Sequence, residues 1–439
     1  DGVKPSRYKS HTVHYGWIIN RNQPALAERN GPGKPVTSNQ KNDKKLSAIR
    51  YPLSANIIDE VLLTVMRAPR SYTKEDIVEI SCHGGIVVLK EILDLVILKG
   101  ARPAQRGEFT KRAFLNGRID LSRAEAVLDV INAKTRYALE SSISQLRGSL
   151  SREVHQLKDK LIEVAALLEA NINFPEEEIT PANLEKVNSD IAFIKNEIDK
   201  LLDSAVHGKI LREGLSAVIL GRANTGKSSL LNALLKEERV IVSPVAGTTR
   251  DAVEEILDIR GIPLKIADTA GIIKPKDLIE KEALKRTRRY FDKADLVLLV
   301  FDSNSRLTPE DRFLIKKARA KTTIAVLNKC DLKPNIEEAE IKRHFDRLVK
   351  ISSVKRKGLK ELEERIVQSV WEGKLEASDE LMVSNARHIQ ALRKAKEALA
   401  RVRDSLKDKF SIEFIAEDLR LTQENLGLII GASAGEDIL

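Results

Sequence analysis

The sequence predicts a multidomain protein of the α/β and α+β classes, with a doubly wound, mostly parallel sheet inserted into a helical bundle and a small α+β domain before both. The chain has 439 residues, too many for one ordinary domain. Short apolar runs between residues 215 and 353 each end in a polar or glycine-rich motif, as buried parallel strands do. Long segments with helical apolar spacing flank that region. The predicted domains are 1–118 (N-terminal α+β), 119–210 (first helical part), 211–375 (inserted sheet domain) and 376–439 (second helical part).

The N-terminal region alternates apolar and polar residues over 11–19 and 61–66, the pattern of strands with one buried face. A glycine pair then opens an apolar-faced helix over 86–99, which Gly100 ends. Between the two strands, residues 21–56 are polar and rich in Asn, Lys and Pro. This stretch is predicted to be a flexible insertion.

Both helical segments carry an apolar seam, which we interpret as the core of a bundle. In the first segment the seam residues are spaced four, three and four apart: Leu157, Leu161, Val164 and Leu168. In the second, one helix face carries Leu392, Leu399, Val402 and Leu406. The simplest packing joins both segments into one bundle. A conformational change in the inserted domain could then be transmitted through this bundle.

A phosphate-binding loop is predicted at residues 221–228, which read Gly-Arg-Ala-Asn-Thr-Gly-Lys-Ser. Closely spaced glycines let backbone N–H groups wrap a β-phosphate, and the following helix adds its dipole. Lys227 would lie against the β- and γ-phosphates, and the Ser228 hydroxyl would ligate Mg²⁺. A chance glycine-rich turn is the alternative. The apolar strand 215–220 before the loop and the helix 229–235 after it favour the phosphate loop.

A second motif, Asp-Thr-Ala-Gly, follows the apolar strand 264–267. There the Asp268 carboxylate can hold the Mg²⁺ shell while the Gly271 N–H faces the γ-phosphate. This pair would distinguish a nucleoside triphosphate from a diphosphate.

A third motif, Asn-Lys-Cys-Asp, follows strand 322–327 and identifies the base. The Asp331 carboxylate accepts from the N1–H and the exocyclic amine of guanine, whereas adenine offers no matching donors. Ser352 and Ser353, at the end of a further strand, form the loop that closes over the base, although serine pairs are also common in turns. The sequence therefore predicts GTP rather than ATP.

The hydrolytic centre lacks a residue that many small GTPases have. They place a glutamine after the Asp-x-x-Gly motif to orient the attacking water, and here that position is Ile272. Asn224 in the phosphate loop and Glu280 after the aspartate loop are candidate substitutes. The alternatives are that Asn224 merely tolerates the backbone of a glycine turn and that Glu280 is a helix-surface charge.

The nucleotide motifs resemble those of the Era-like GTPases, and the flanks narrow the resemblance. Four flanking strings are similar to the family of tRNA uridine-modifying GTPases called MnmE or TrmE. They read RAPRSYTKED (67–76), EISCHGG (79–85), GEFTKRAFLNGR (107–118) and DLSRAEA (120–126). The similarity covers nearly all of the chain from about residue 11.

The resemblance implies a Ras-like G domain whose GTP hydrolysis is triggered when two G domains of a homodimer meet with bound K⁺. The implied catalytic residues are Glu280, which positions the water, and Lys227. Ser228 and Thr249 fall on the Mg²⁺ ligands, and Asn224, Ser243, Val245 and Thr248 on the K⁺ ligands. A cation bridging the phosphates would neutralise charge that builds during phosphoryl transfer. The candidate nucleotide-binding residues are Asn224, Thr225, Gly226, Lys227, Ser228, Ser229, Ser243, Pro244, Val245, Ala246, Gly247, Thr248, Thr249, Asp268, Thr269, Ala270, Gly271, Asn328, Lys329, Asp331, Ser352 and Ser353.

The resemblance also implies an N-terminal tetrahydrofolate-binding domain, for a 5,10-methylene or 5-formyl derivative. Two family contacts fall on Glu79 and Arg118; each could equally be an ordinary surface charge. A carboxylate can pair with pterin N–H groups, and a guanidinium with a carbonyl or carboxylate. Family members open with a Gly-rich strand that supplies another arginine and end in a Cys-Ile-Gly-Lys tail, whereas this sequence begins at Asp1 and stops at Leu439. We therefore expect these residues to hold only part of the folate and modification sites.

The function implied is a potassium-dependent GTPase that modifies the wobble uridine of tRNA (5-carboxymethylaminomethyl type) with an FAD-dependent partner, MnmG (GidA). An Era-like RNA-binding switch in ribosome assembly is the alternative, and a dynamin-like membrane GTPase is a second. Neither an RNA-binding domain after the G domain nor an amphipathic membrane anchor is visible in the sequence. The net charge of +10 permits RNA binding, but the basic stretches 281–293 and 355–357 are equally typical of solvated helix faces.

The composition of the sequence indicates the cellular compartment of the protein. The two cysteines, Cys82 and Cys330, are too few for a disulfide framework and fit a reducing compartment. No apolar run approaches the ~20 residues of a membrane span, and no signal-peptide pattern opens the sequence. We expect a bacterial cytoplasmic or organellar protein that is not secreted. Cys82 and His83 lack a second pair at ligand spacing, which favours a structural role over a metal site.

Overall fold

The computed structural model describes residues 9–20, 56–173, 181–237, 255–267, 289–371, 381–408 and 412–432. The chain divides into two compact units, Asp1–Asp120 and Leu121–Leu439. Of the helices within these ranges, none combines the length and the apolar character needed to cross a membrane.

The first unit contains a three-stranded antiparallel sheet in the order β1-β2-β3, followed by two helices. Its elements are β1 Thr12–Asn20, β2 Asn56–Met66, β3 Ile77–Ser81, α1 Ile86–Leu98 and α2 Glu108–Leu115. Val61 and Val65 point inward from β2 because alternate residues of a strand share a face. The strand begins at Asn56, earlier than the apolar alternation indicated, because its polar first half still pairs with β1.

The second unit combines a helical bundle with a sheet domain. The bundle contains α3 Leu121–Asn132, α4 Arg136–Leu146, α5 Ser149–Asn173 and α6 Pro181–Glu213 before the sheet domain, and α11 Ala386–Lys407 and α12 Ile412–Ile430 after it. One core cluster contains residues from both segments, so the prediction of a single bundle is confirmed. The two predicted seams lie within this cluster: Leu157, Leu161, Val164, Leu168, Leu392, Leu399 and Val402 are buried, and Leu406 packs partly buried against them.

The sheet domain has six strands in the order β5-β6-β4-β7-β8-β9. Strand β5 runs antiparallel to β6, and all other neighbours are parallel. The strands are β4 Leu215–Leu220, β5 Glu255–Ile259, β6 Ile262–Ala267, β7 Leu296–Asp302, β8 Thr323–Asn328 and β9 Leu348–Lys350. The helices are α7 Lys227–Glu237, α8 Pro309–Ala318, α9 Glu338–Lys342 and α10 Leu359–Trp371.

Helices cover both faces of this sheet, as in doubly wound folds. Residues of α7 and α10 share one core cluster with alternate strand residues, and residues of α8 and α9 share the other. Strand β4 shows the alternation, since Ala217 and Ile219 face the first cluster and Val218 and Leu220 the second. The predicted fold class is therefore confirmed, and the carboxyl ends of the parallel strands form one edge where ligands of such sheets bind.

The helix that leads into the sheet domain contacts the segment that follows this domain, described from residue 381. Helix α6 leads through Gly214 into β4. The returning segment before α11 contacts the same helix, because Val383 N donates to Ser204 Oγ at 3.1 Å. The buried Gln145 side chain of α4 donates to Met382 O at 2.7 Å. The segment that resumes at residue 381 is thus fixed to the bundle beside the helix that leads into the sheet domain.

Candidate nucleotide-binding site

The phosphate loop connects β4 to the first residue of α7. Gly221 and Gly226 have φ values of +157° and +90°, which favour glycine. Close contacts with neighbouring atoms also require glycine at both positions. An added Cβ would lie 2.4 Å from Val300 O at Gly221 and 2.2 Å from Asn328 Nδ2 at Gly226. Any larger residue at either position would displace the backbone or the base-recognition motif.

Lys227 lies against the inside of this loop. Its Nζ donates to Gly221 O at 3.0 Å and to Arg222 O at 2.9 Å. The Thr225 hydroxyl also donates to Arg222 O, at 3.1 Å. The Gly221 and Arg222 carbonyls therefore accept hydrogen bonds from side chains later in the same loop.

Asn328 ties the base-recognition motif to the loop. Its side chain is almost fully buried, and its Nδ2 donates to Thr225 O at 2.9 Å. Its Oδ1 accepts from Ser353 N at 3.1 Å and from Ser353 Oγ at 3.0 Å. One amide thus holds the phosphate loop and the Ser352 to Ser353 turn together.

Lys329 makes a second connection to the same loop. Its Nζ donates to Asn224 O at 2.8 Å and to Asp302 Oδ2 at 2.7 Å. Lys329 and Asn224 both have a φ of +63°, a left-handed conformation that is uncommon for residues with a side chain. The ammonium therefore fixes the backbone at both positions.

Asp331 lies at the mouth of the site, three residues after Asn328. A hydrogen bond from the Ser352 side chain and the nearby Lys355 and Lys357 charges lower the pKa of Asp331. Lys355 Nζ is 4.0 Å from Asp331 Oδ2. The carboxylate is therefore ionised at neutral pH and able to accept hydrogen bonds.

The turn that holds the serines differs slightly from the sequence prediction. Strand β9 ends at Lys350, and Ser352 instead forms a bridge with Lys357 by two backbone hydrogen bonds. An added Cβ at Gly358 would lie 2.1 Å from Lys350 O, so this glycine lets the turn close. Both serines are buried there.

Several predicted site residues lie outside the described residues. They are Ser243, Pro244, Val245, Ala246, Gly247, Thr248, Thr249, Asp268, Thr269, Ala270, Gly271, Ile272 and Glu280. The insertion predicted at 21–56 also lies outside, except for Asn56, which begins β2. The structure brings together the remaining candidate residues, which come from the phosphate loop, the start of α7, and the turns after β8 and β9.

The two predicted folate contacts lie in the first unit. Glu79 is exposed on β3, where it pairs with Thr64 of β2. Arg118 follows α2, and its guanidinium carbon lies 4.7 Å from the centroid of the Tyr72 ring, a cation–π contact. Both are accessible to a ligand, and no hydrogen bond within the described part of the unit joins them.

Cys82 and His83 do not form part of a metal cluster in the described ranges, where no three His, Cys, Asp or Glu residues are placed to hold an ion. His83 instead binds Asp59, with 2.8 Å between Nδ1 and Oδ1 and a second bond from its backbone N–H. The contact joins the end of β3 to β2.

The described residues fit a nucleotide and a divalent cation. Exposed Ser228 lies in the first turn of α7, where a hydroxyl can reach a hydrated cation. Asn224 is exposed at the tip of the loop, with its carboxamide available as an oxygen ligand. The described residues therefore include the glycine loop and two exposed side chains with oxygen donors, Ser228 and Asn224.

Asp302 is the site residue that sequence reasoning missed. It stands at the carboxyl end of the apolar run 296–301, as Asp268 does after its own strand. Its position at the end of an apolar run was visible in the sequence, but no motif contains the residue.

Arg222, within the phosphate loop, had no role in the sequence prediction. Its Nε lies 3.4 Å from Asp311 Oδ2, a buried carboxylate that caps α8.

A glycine loop at the N-terminus of a helix, tied to an Asn-Lys-x-Asp motif at the carboxyl edge of a mostly parallel sheet, defines a P-loop GTPase. Comparison with known proteins gives the family. Residues 4–118 match the model of the GTP-binding protein TrmE N-terminus, and residues 121–439 match that of the MnmE helical domain. The chain belongs to the MnmE family of tRNA modification GTPases.

Two individual relatives support this family assignment. The tRNA modification GTPase MnmE of Alkaliphilus metalliredigens is 46% identical over 87% of this chain and 83% of its own. That of Alkaliphilus oremlandii is 42% identical over 99% of this chain and 88% of its own. Among solved structures, Era of Aquifex aeolicus is 29% identical over 42% of this chain and 65% of its own, with a TM-score of 0.30.

Proposed function

We propose that this GTPase hydrolyses GTP in a potassium-dependent reaction and modifies the wobble uridine of tRNA, in the 5-carboxymethylaminomethyl manner, together with the FAD-dependent protein MnmG. The observation that carries the proposal is the double connection between the base-recognition motif and the phosphate loop. Asn328 holds Thr225 O and Lys329 holds Asn224 O. Recognition of the base and placement of the phosphates thus occur on one rigid framework.

The phosphate loop binds and orients the triphosphate. Backbone N–H groups of the loop and of the first turn of α7 donate to the β-phosphate, and the helix dipole favours its charge. Lys227 moves from the Gly221 and Arg222 carbonyls to the β- and γ-phosphates. This exchange is favourable because a charged acceptor replaces neutral ones.

Cations complete the charge balance. When bound, Mg²⁺ and K⁺ supply positive charge that offsets the negative charge developing on the transferred phosphoryl group. Ser228 and Thr249 would hold Mg²⁺; Asn224, Ser243, Val245 and Thr248 would hold K⁺. Glu280 would orient the attacking water, taking the place of the glutamine of other GTPases.

Asp331 selects guanine. Its ionised carboxylate accepts from N1–H and the exocyclic amine, and the Ser352 side chain fixes its position. Adenine would leave this carboxylate without donors, which costs more than the lost contact alone. Ser353 holds the closing turn through Asn328.

The remaining proposals concern the rest of the chain. Residues 1–118 would bind a tetrahydrofolate derivative through Glu79 and Arg118, both of which are exposed. Residues 119–210 and 376–439 would form the helical domain around a G domain of 211–375. A homodimer would bring two G domains together during hydrolysis.

The experiment that tests this function is mass spectrometry of bulk tRNA from cells that lack the gene. Complementation with the wild-type chain should restore the wobble-uridine modification. Complementation with Lys227→Ala should not, because the phosphates lose their main cation. Unchanged tRNA combined with immature ribosomal subunits would contradict the proposal and favour the Era-like alternative.

A further inference from the structure

Asp302 ends β7 directly beside the base-recognition motif without belonging to it. In the strand register it pairs with Asn328 of β8. Its Oδ2 accepts from Lys329 Nζ at 2.7 Å, and its Oδ1 accepts from Asn304 N at 3.0 Å. Only 12% of its side chain is exposed, so solvent competes weakly for these bonds.

The Lys329 ammonium is shared between this carboxylate and the phosphate loop. The same Nζ donates to Asn224 O at 2.8 Å. Lys329 and Asn224 both have left-handed backbones, which persist only where surrounding contacts hold them. One ammonium therefore stabilises two residues with left-handed backbones, one in the phosphate loop and one directly after β8.

We propose that Asp302 is a positioning residue of this site: its carboxylate holds the Lys329 ammonium on the Asn224 carbonyl and so fixes the phosphate loop to the base-recognition strand. Asp302 itself does not touch the nucleotide. The proposal rests on the proposed assignment of Lys329 and Asn224 to the nucleotide site, and it adds the group that aligns them.

The ionisation of Asp302 agrees with this role. Burial raises its pKa, but hydrogen bonds from Lys329 and the Asn304 amide, together with the Lys329 and Arg222 charges, outweigh burial and lower the pKa overall. The carboxylate is therefore charged at neutral pH, and the ammonium has a charged acceptor.

The test is the rate at which a fluorescent GDP analogue leaves the protein, measured by stopped flow. Asp302→Asn keeps the shape of the side chain and an oxygen for the Asn304 amide but removes the charge. We expect release to be about tenfold faster, the effect of losing a hydrogen bond to a charged group. Asp302→Glu, which keeps the charge, should fall between Asp302→Asn and the wild type.

A double-mutant cycle separates positioning from a merely structural role. In a Lys329→Met background, Asp302→Asn should have no further effect, because the ammonium it orients is gone. An equal acceleration in both backgrounds, or no acceleration in the wild-type background, would overturn the proposal.

A control variant and the binding of the wild type separate the positioning role from the proposed nucleotide site. Glu340→Gln removes a surface ion pair with Arg312 in the same domain and should leave the release rate unchanged. Wild-type protein that fails to bind the analogue would instead overturn the proposed nucleotide site. Wild-type binding with an unaffected Asp302→Asn variant overturns only the positioning role.

Discussion

At the residue scale, the nucleotide site depends on side chains that serve two segments at once. Asn328 uses both ends of its amide, one for the phosphate loop and one for the Ser353 turn. Lys329 uses one ammonium for the loop and for Asp302. Asp331 is the exception, because its carboxylate is aligned by Ser352 and remains available for the base. It is therefore the residue at which base specificity can be changed without breaking the framework.

Asp331→Asn should change the base preference. Asparagine offers one acceptor and one donor, which suits the 2-carbonyl of xanthine better than the 2-amine of guanine. Affinity for GDP should fall by roughly a hundredfold, the cost of leaving a hydrogen-bonding group of the base unpaired in the complex, and affinity for XDP should rise. Fluorescence titration with both nucleotides measures the change.

Asp346→Asn is the matched control, since Asp346 is exposed in the same domain away from the motif. It should bind GDP as the wild type does. If Asp331→Asn retained GDP affinity within about twofold, the assignment of guanine recognition to this carboxylate would be wrong.

At the element scale, the helix that leads into the sheet domain packs against the segment that returns to the bundle after it. Helix α6 approaches the returning segment so closely at Gly208 that an added Cβ would lie 2.3 Å from Val383 O. The atom it would meet is backbone, so the helix or the segment would have to move. A second helical glycine, Gly427 of α12, has open surroundings, with its nearest side-chain atoms 3.6 and 3.7 Å away.

Replacing each of these two glycines by alanine should have opposite effects on the stability of the second unit. Gly208→Ala should destabilise the second unit by roughly 1–3 kcal/mol because of overpacking. Gly427→Ala should stabilise it by about 0.5–1 kcal/mol because alanine favours the helix. Urea unfolding followed by far-ultraviolet circular dichroism compares them. Equal stability of the two variants would show that the close approach at Gly208 is not required.

At the scale of the whole molecule, what the sequence could predict follows from how local each signal is. The apolar runs of β4, β7 and β8 indicated buried strands, and the seam at Leu157 and Leu161 indicated a helix core, because burial imposes a period on neighbouring residues. Gln145 and Met382 meet only in the folded chain, so their contact had no local signal. Asp302 likewise acquires its role from Lys329, which directly follows the neighbouring strand β8.

The same limit applies to the site. Glycine spacing predicted the phosphate loop because the backbone there demands glycine at Gly221 and Gly226. The left-handed conformations of Asn224 and Lys329 could not be predicted, since each is held by a contact distant in sequence. Motifs thus predicted the residues proposed to bind the nucleotide, and the structure added the contacts that join those motifs to one another.

The molecule as a whole is proposed to couple GTP hydrolysis to a potassium ion held by Asn224. The most direct test is the steady-state rate of GTP hydrolysis by the intact chain at saturating GTP, in KCl and in NaCl of equal ionic strength. We expect hydrolysis to be much faster in KCl, and Asn224→Ala to remove the difference while GDP still binds. Equal rates of the wild type in the two salts would contradict the potassium mechanism.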